Sequence, residues 1–134
     1  MDGLTDQALA LIEEPVLGHL ATLGADGTPH VTPLWIDHQG GDLVVNTARG
    51  RVKTNDMERN QAVAVSIVDP ADPYRVVAFR GTVADITTDG ADEHIDRLAA
   101  KYLGEPRYPN RRDGEVRVKI RIRPEHIVMQ PEAA

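Results

Sequence analysis

The sequence predicts a mainly β protein in which antiparallel strands close into a small barrel, with a few short helices. Two observations lead to this prediction. Six or seven extended segments are joined by short turns, and only a few segments show a helical pattern. Residues 115–123 alternate strictly between charged side chains and Val or Ile, which is typical of a half-buried strand. We therefore expect a sheet that buries one face and is interrupted by few helices.

The first predicted elements are a short helix and a strand. Thr5 is a suitable N-cap for a helix with apolar residues clustered on one side, and Pro15 ends that helix. Residues 1–15 are therefore expected to close one end of the barrel. Residues 16–23 carry apolar side chains at both parities, which predicts a strand that is covered on both faces. In a chain this small, we expect a partner subunit to supply the second cover.

A hairpin is predicted next. Asp26-Gly27 is a strong turn signal, and residues 29–36 resume an extended pattern. Pro29 and Pro33 cannot donate hydrogen bonds to a neighbouring strand, so this strand is expected to lie at an edge or to contain a bulge. An unpaired edge leaves backbone groups available to a ligand.

The remaining elements are predicted to complete a barrel that occupies residues 16–130. The expected elements are strands at 42–47, 62–68, 74–86, 115–123 and 126–129, and helices near 51–59 and 91–103. Gly104 ends the second of these helices. Residues 69–73 are rich in Pro and Asp and predict a stiff loop, and Gly81 indicates a bend or a close backbone approach.

Length and composition narrow the class of protein. With 134 residues, the chain is most simply one domain spanning residues 1–134. It has no cysteine, which excludes disulfides and thiolate chemistry, and its net charge of -6 disfavours a general nucleic-acid binder. The start lacks a signal-peptide pattern, and no apolar stretch approaches about 18 residues, the length that spans a membrane. We expect a cytoplasmic protein with no membrane partner.

One segment is basic although the chain as a whole is acidic. Residues 46–55 contain three basic side chains and no acid, in a chain with 15 basic and 21 acidic residues. A strand leads into this segment and a helix follows it, and the free N–H groups and dipole at a helix start favour phosphate. Arg51 offers a planar fork for two phosphate oxygens, and Lys53 offers a mobile charge. The segment is either a phosphate-binding turn or a solvated basic turn with a helix cap.

A second basic region covers a loop rich in Pro and Arg and the alternating strand that follows it. Its members are Arg107, Arg111, Arg112, Arg117, Lys119, Arg121 and Arg123. This region is either a solvated loop and strand face or a surface for the acidic tail of a cofactor. No two of the five histidines have the spacing of a known metal site, so no metal is expected.

The order and spacing of several motifs resemble a known family. The motifs are Gly18-His19-Leu20-Ala21-Thr22-Leu23, Asp26-Gly27, Pro33-Leu34-Trp35, Thr47-x-x-Gly50-Arg51-x-Lys53, Asp72-Pro73-Tyr74-Arg75, Gly81-Thr82-Val83 and Lys101-Tyr102-Leu103-Gly104. On these motifs the chain resembles the pyridoxamine 5′-phosphate oxidase-like split-barrel superfamily from about residue 16 to residue 128. Within that superfamily it most resembles the branch that binds the 8-hydroxy-5-deazaflavin coenzyme F420, the flavin/deazaflavin oxidoreductase B type.

The resemblance implies a homodimer of FMN-binding split barrels, with two cofactor sites in grooves between the subunits. It also implies that the Gly-Arg-x-Lys turn binds the cofactor phosphate and that the second strand lines the ring. The cofactor-binding candidates are His30, Val31, Thr32, Pro33, Leu34, Trp35, Thr47, Gly50, Arg51, Lys53, Tyr74 and Arg75. The family usually has Asn at the position of Asp56, so Asp56 is expected to cap the helix or to pair with Arg59.

The function implied by the resemblance is hydride transfer from reduced F420 to an electron-poor conjugated small molecule, which needs no protein nucleophile. No catalytic residue is assigned. Two alternatives keep the fold: an FMN-binding oxidase or reductase, and a protein that binds or sequesters F420 without turnover. An oligonucleotide-binding barrel is disfavoured because one Trp, three Tyr and one Phe leave few surfaces for base stacking.

Overall fold

A computed structural model describes residues 3–130, and residues 1, 2 and 131–134 lie outside the described part of the chain. The elements in chain order are α1 (Asp6–Ile12), β1 (Leu17–Leu23), β2 (Pro29–Gln39), β3 (Asp42–Ala48), α2 (Val52–Arg59), β4 (Ala62–Asp69), β5 (Asp72–Thr87), α3 (Ala91–Leu103) and β6 (Arg117–Gln130). All neighbouring strands pair antiparallel, and the barrel closes in the order β1-β2-β3-β6-β5-β4. The predicted fold class is confirmed.

The core fills the barrel because alternate side chains of each strand point inward. The largest inward side chains include Leu20, Ile36, Val45, Ile67, Phe79, Ile120 and Ile122, all of them buried. Leu11 and Ile12 of α1 and Met57 of α2 are fully buried and belong to the same cluster. Helices α1 and α2 therefore extend the barrel core. The burial of Met57 anchors α2 against the barrel.

Local signals position the helices as the sequence predicts. The hydroxyl of Thr5 accepts a hydrogen bond from the Ala8 backbone N–H at 3.2 Å, so Thr5 caps α1. Gly104 ends α3 with φ of 69°, a left-handed conformation that favours glycine. None of the helices within residues 3–130 is long and apolar enough to cross a membrane.

Two sequence predictions about the strands are wrong in detail. The predicted break before residue 126 is absent, because β6 continues through it as one strand. The pairing of β6 with β5 shifts between Ala78 and Arg80, and His126 has φ of 51°, so a bulge bends the strand there. The predicted loop at 69–73 is a tight turn, since Asp69 already pairs with Asp72.

The strand β2 belongs to two different ladders along its length. Its first half, residues 29–35, pairs with β1, while Ile36–Gln39 pairs with β3. The end of β3, residues 46–48, pairs with β6 alone. The two strands therefore diverge, and we call the gap between them the fork. The first half of β2 lacks a second neighbour, which agrees with the edge position that its prolines predict.

Candidate functional site

A cleft of about 260 Å³ opens at the fork. Its lining residues come from β1, β2, β3, α3, the turn before α2, the loop after α3 and the start of β6. They are Leu17, Pro33, Leu34, Trp35, Asn46, Arg51, Lys53, Ile95, Tyr108, Asn110 and Arg117. Five of the twelve sequence-predicted site residues are thus brought together: Pro33, Leu34, Trp35, Arg51 and Lys53. The cleft combines an apolar wall with a cluster of cations.

The aromatic rings of Trp35 and Tyr108 belong to the apolar wall, and the ring of Tyr102 supports Trp35. Trp35 stacks on Tyr102 with ring centroids 5.1 Å apart and planes 10° apart, and Tyr108 meets Trp35 edge-on at 5.9 Å. The Tyr102 hydroxyl accepts the Ile36 backbone N–H at 2.9 Å and donates to the Val16 carbonyl. Burial raises the pKa of Tyr102 to about 12. Trp35 is therefore held in place by its neighbours, and one of its faces is already occupied.

Three cations line the opposite side of the cleft. Arg51 is the N-cap residue of α2, and its side chain is 42% exposed. Lys53 is half-buried, and its pKa is lowered by burial first and then by repulsion from Arg51 and Arg117. The charged groups that shift the pKa of Lys53 are both cations, so the three basic side chains lie in a region of positive charge. The cleft is therefore electrostatically suited to an anion.

Arg117 is held far more rigidly than Arg51. Its side chain is only 3% exposed, its Nε donates to Asn46 Oδ1 at 2.9 Å, and its Nη1 donates to Glu115 Oε1 at 3.2 Å. Its guanidinium also lies over the Tyr108 ring, 5.2 Å from the centroid. These contacts leave Nη2 as the terminal nitrogen that is free to bind a ligand in the cleft.

A buried chain of hydrogen bonds holds Asn46 in turn. Asn46 Nδ2 donates to the Ala91 carbonyl at 2.8 Å and lies 3.1 Å from His94 Nδ1. His94 Nε2 lies 3.1 Å from Asp37 Oδ2, and His94 is almost completely buried. Since an amide N–H can only donate, Nδ1 is the acceptor and Nε2 carries the proton that faces Asp37. The hydrogen bonds that join Asp37, His94 and Asn46 thereby hold Asn46 in position to accept the hydrogen bond from Arg117.

The turn before α2 places Arg51 and Lys53. Thr54 is buried, and its hydroxyl donates to the Ala48 carbonyl at 2.8 Å and contacts the Thr47 hydroxyl at 3.2 Å. Gly50 has φ of 89°, which other residues rarely adopt. Thr47 is fully buried and Gly50 has no side chain, so both residues shape the turn and neither contributes a side chain to the cleft.

The other predicted residues lie elsewhere in this chain. The strand alternation of β2 sends Val31 to the outer face of the barrel, and neither Thr32 nor His30 lines the cleft. Tyr74 is 78% exposed at the β4–β5 turn. Arg75 forms ion pairs with Glu14 at 2.8 Å and with Asp69 at 3.0 Å. Within the described residues, the cleft contains neither Tyr74 nor Arg75.

His30 belongs to a separate cluster around Asp56. Its Nδ1 lies 2.7 Å from Asp56 Oδ2, which also accepts the Thr22 hydroxyl at 2.8 Å. The hydrogen bond from His30 is the largest influence that holds the pKa of Asp56 below its ordinary value. Arg59 lies 3.5 Å from the other carboxylate oxygen, as the sequence suggests. Asp56 therefore joins α2 to β1 and β2 and does not face the cations.

Sequence reasoning missed the roles of Asn46, Tyr108 and Arg117 in the cleft. Arg117 was placed on a solvated strand face or on a surface for an acidic tail, but it is buried at the point where β6 begins. One signal was available: Asn46 directly follows the apolar run 43–45 in a buried strand, and a buried amide requires polar partners. Within residues 3–130, no group of three or more potential ligands from His, Asp and Glu surrounds a common point for a metal ion.

Comparisons with known proteins agree with the fold described above. The family model described as pyridoxamine 5′-phosphate oxidase matches residues 4–130. A solved structure of an F420 reductase is 36% identical in sequence, with a TM-score of 0.80, and the match covers 89% of this chain and 94% of that one. No curated protein is a significant match.

More distant structures share the fold. A conserved hypothetical protein from Mycobacterium tuberculosis is 22% identical with a TM-score of 0.71, over 94% of this chain and 84% of that chain. A heme storage protein from Vibrio cholerae is 14% identical with a TM-score of 0.67, over 95% and 94% of the two chains. At these identities the similarity concerns the fold alone.

Proposed function

The chain belongs to the pyridoxamine 5′-phosphate oxidase family, and on that premise we propose that it is an F420-dependent oxidoreductase. Its acceptor would be an electron-poor conjugated organic molecule. The observation that carries the proposal is the convergence of Arg51, Lys53 and Arg117 beside the aromatic wall of the fork. The 36% identity to an F420 reductase supports F420 as the cofactor.

The residues of the cleft fit such a cofactor. F420 carries a tricyclic ring, a phosphodiester and a tail of glutamates. Burial, and then repulsion from Arg51 and Arg117, lowers the pKa of Lys53, and the three cations together are suited to the phosphate. Pro33, Leu34 and Trp35 offer an apolar surface for the ring, and the unpaired backbone edge of β2 offers hydrogen bonds to its polar atoms.

The reduced cofactor, when bound, would supply a hydride. The residues of this chain would bind and orient it: Arg51, Lys53 and Arg117 through the phosphate, and Trp35 with its stacked neighbours through one wall of the ring site. Such positioning makes the reaction effectively unimolecular, which is the main contribution a protein adds to cofactor chemistry. The aromatic wall would also limit the access of water to the ring.

We further propose that the protein functions as a homodimer. A shallow depression of about 570 Å³ on the outside of β1, β2, β4, β5 and β6 is lined mainly by apolar side chains. Val31 and Val128 are both more than half exposed there. A second copy would cover this face, as the family fold implies, and would bring further residues to the groove next to the fork. Substitution of Val31 by Glu should convert the dimer to a monomer in sedimentation measurements, whereas Leu103→Glu on α3 should not.

F420 binding tests the proposed function directly. Titration of the protein into F420 should change the coenzyme fluorescence and saturate near one molecule per subunit. Reduced F420 should then be oxidised by the protein in the presence of at least one acceptor from a panel of enones, quinones and tetrapyrroles. Absence of binding would reject the proposal, and tight binding without turnover on any acceptor would favour a sequestering role.

The family match itself favours FMN as the second candidate cofactor. The three cations of the cleft would accept the phosphate of FMN as well as that of F420. The two cofactors are distinguished by colour, because a protein that binds FMN is yellow when purified. A flavin spectrum in the purified protein, together with no response to F420, would replace the first proposal by the second.

A further inference from the structure

One acidic side chain lies between two of the three cations of the cleft. Glu115 Oε1 accepts a hydrogen bond from Arg117 Nη1 at 3.2 Å, and Glu115 Oε2 lies 3.4 Å from Arg51 Nη2. The carboxylate therefore bridges two guanidinium groups with one oxygen on each. Its side chain is only 7% exposed, although it lies between a loop and a strand. Glu115 occupies the kind of position between two arginines that an anionic ligand would take.

The two ends of this bridge differ in strength. Arg117 is buried and is also held by Asn46 and Tyr108, so its contact with Glu115 is part of a fixed network. Arg51 is 42% exposed, and its longer contact with Glu115 is its single ion pair among the described residues. The contact between Glu115 and Arg51 is therefore the one that breaks when a stronger anion binds in the cleft.

The segment before Glu115 allows such a movement. Gly114 has φ of 76° and precedes Glu115, and β6 begins only at Arg117. Glu115 is thus outside the ladder of β6, and its backbone N–H is bonded to the Arg112 carbonyl of the loop at 3.2 Å. A rotation of this side chain away from Arg51 does not break any strand pairing.

We propose that Glu115 is a built-in competitor that determines the affinity of the cleft for phosphate. In the free protein its carboxylate holds the edge of Arg51 that a phosphate would bind, and ligand binding exchanges one contact for the other. The inference rests on the proposed function in that the ligand carries a phosphate. It adds that an acid next to the site, in contact with two of its cations, weakens binding and keeps the cleft from retaining weakly held anions.

Most substitutions in or near a binding site weaken binding, but substitution of Glu115 is expected to strengthen it. Glu115→Gln keeps the shape of the side chain and an oxygen for Arg117, but it removes the charge that competes for Arg51. The Kd for F420 should therefore fall by roughly two- to fivefold, since a partly exposed ion pair contributes up to about 1 kcal/mol. The matched control is Asp113→Asn, which removes the same charge from an exposed position two residues away and should change Kd by less than about twofold.

A double-variant cycle identifies the contact that is responsible. In an Arg51→Ala background, Glu115→Gln should lose most of its effect on Kd, because the competition is for Arg51. An undiminished effect in that background would overturn the proposal. So would a Glu115→Gln protein whose Kd equals that of the unsubstituted protein or of Asp113→Asn.

Two further measurements use inorganic phosphate in place of F420, and the second of them needs no variant. Inorganic phosphate titrated calorimetrically should bind Glu115→Gln more tightly than the unsubstituted protein, even if F420 binds neither of them. In that case the proposed function fails while the inference stands. In the unsubstituted protein, the carboxyl carbon resonance of Glu115 should shift on addition of phosphate, and that of Asp113 should not. A resonance of Glu115 that does not respond to saturating phosphate would overturn the inference.

Discussion

Arg51 and Arg117 line the same cleft, but the two regions that supply them are built differently. Arg51 lies in an exposed turn before α2 and has a single weak partner. Arg117 lies at the start of β6, where Asn46, Glu115 and Tyr108 surround it. Two other arginines of the second basic region are paired with acids: Arg111 with Asp92 and Asp96, and Arg121 with Asp42. Basic residues in a sequence therefore indicate an anion site only where the fold leaves them without enough acids.

The largest expected effect comes from Arg117, the more rigidly held of the two cleft arginines. Arg117→Met removes a buried cation and leaves Glu115 and Asn46 without their partner, which should cost roughly 3–5 kcal/mol of unfolding free energy. Denaturant unfolding measures this loss. The control is Arg121→Met on the same strand, which breaks a partly exposed ion pair with Asp42 and should cost about 1 kcal/mol or less. Equal losses would show that the two arginines are held alike.

The exposed member of the pair should affect binding and not folding. Arg51→Ala should weaken F420 binding by about 1.5–3 kcal/mol, roughly ten- to a hundredfold in Kd, because it removes charge-assisted hydrogen bonds. Unfolding free energy should change little, since the side chain is largely solvated. Arg49→Ala is the matched control, because Arg49 is exposed in the same turn and does not line the cleft. A comparable loss in Arg49→Ala would indicate general charge attraction.

His94 tests whether the rigidity of Arg117 is transmitted through Asn46. His94→Phe removes the acceptor for Asn46 and the donor to Asp37, and should cost about 1–3 kcal/mol of unfolding free energy. At a temperature where the protein remains folded, the Kd for F420 should rise only a few-fold, since Arg117 keeps its own partners. His94→Gln restores an acceptor and a donor and should recover part of both losses. No recovery would mean that ring packing matters more than the hydrogen bonds.

The smallest expected effect is a pH dependence that arises from Lys53. Its pKa in the free protein lies below the ordinary value of 10.5, and an anion binds better to the protonated form. Kd should therefore stay constant at lower pH and rise as pH increases through the lowered pKa, which begins before an ordinary lysine would titrate. Lys53→Arg should give a Kd that is flat over the same range, because arginine stays charged. A profile identical in both proteins would assign the titration to another group.

Local sequence signals predicted much of the fold but only part of the candidate site. Thr5, Gly50 and Gly104 act through their own backbone neighbours, so their roles could be inferred from the sequence. Arg51 and Lys53 could be inferred because a charge reversal and a strand-to-helix turn occur within ten residues. The roles of Arg117 and His94 could not be inferred, because their partners are distant in the chain. Arg117 lies 71 positions from Asn46, and His94 lies 57 positions from Asp37 and 48 from Asn46. Only the closure of the barrel brings those partners together.

The division of β2 between two ladders has a consequence for how the molecule opens. The arm formed by residues 29–35 is bonded on one side only, whereas residues 119–122 of β6 pair with β3 on one side and with β5 on the other. Small local openings of this arm cost less free energy than global unfolding. A bulky ligand can therefore enter when residues 29–35 of β2 open locally, while the other strands of the barrel stay paired.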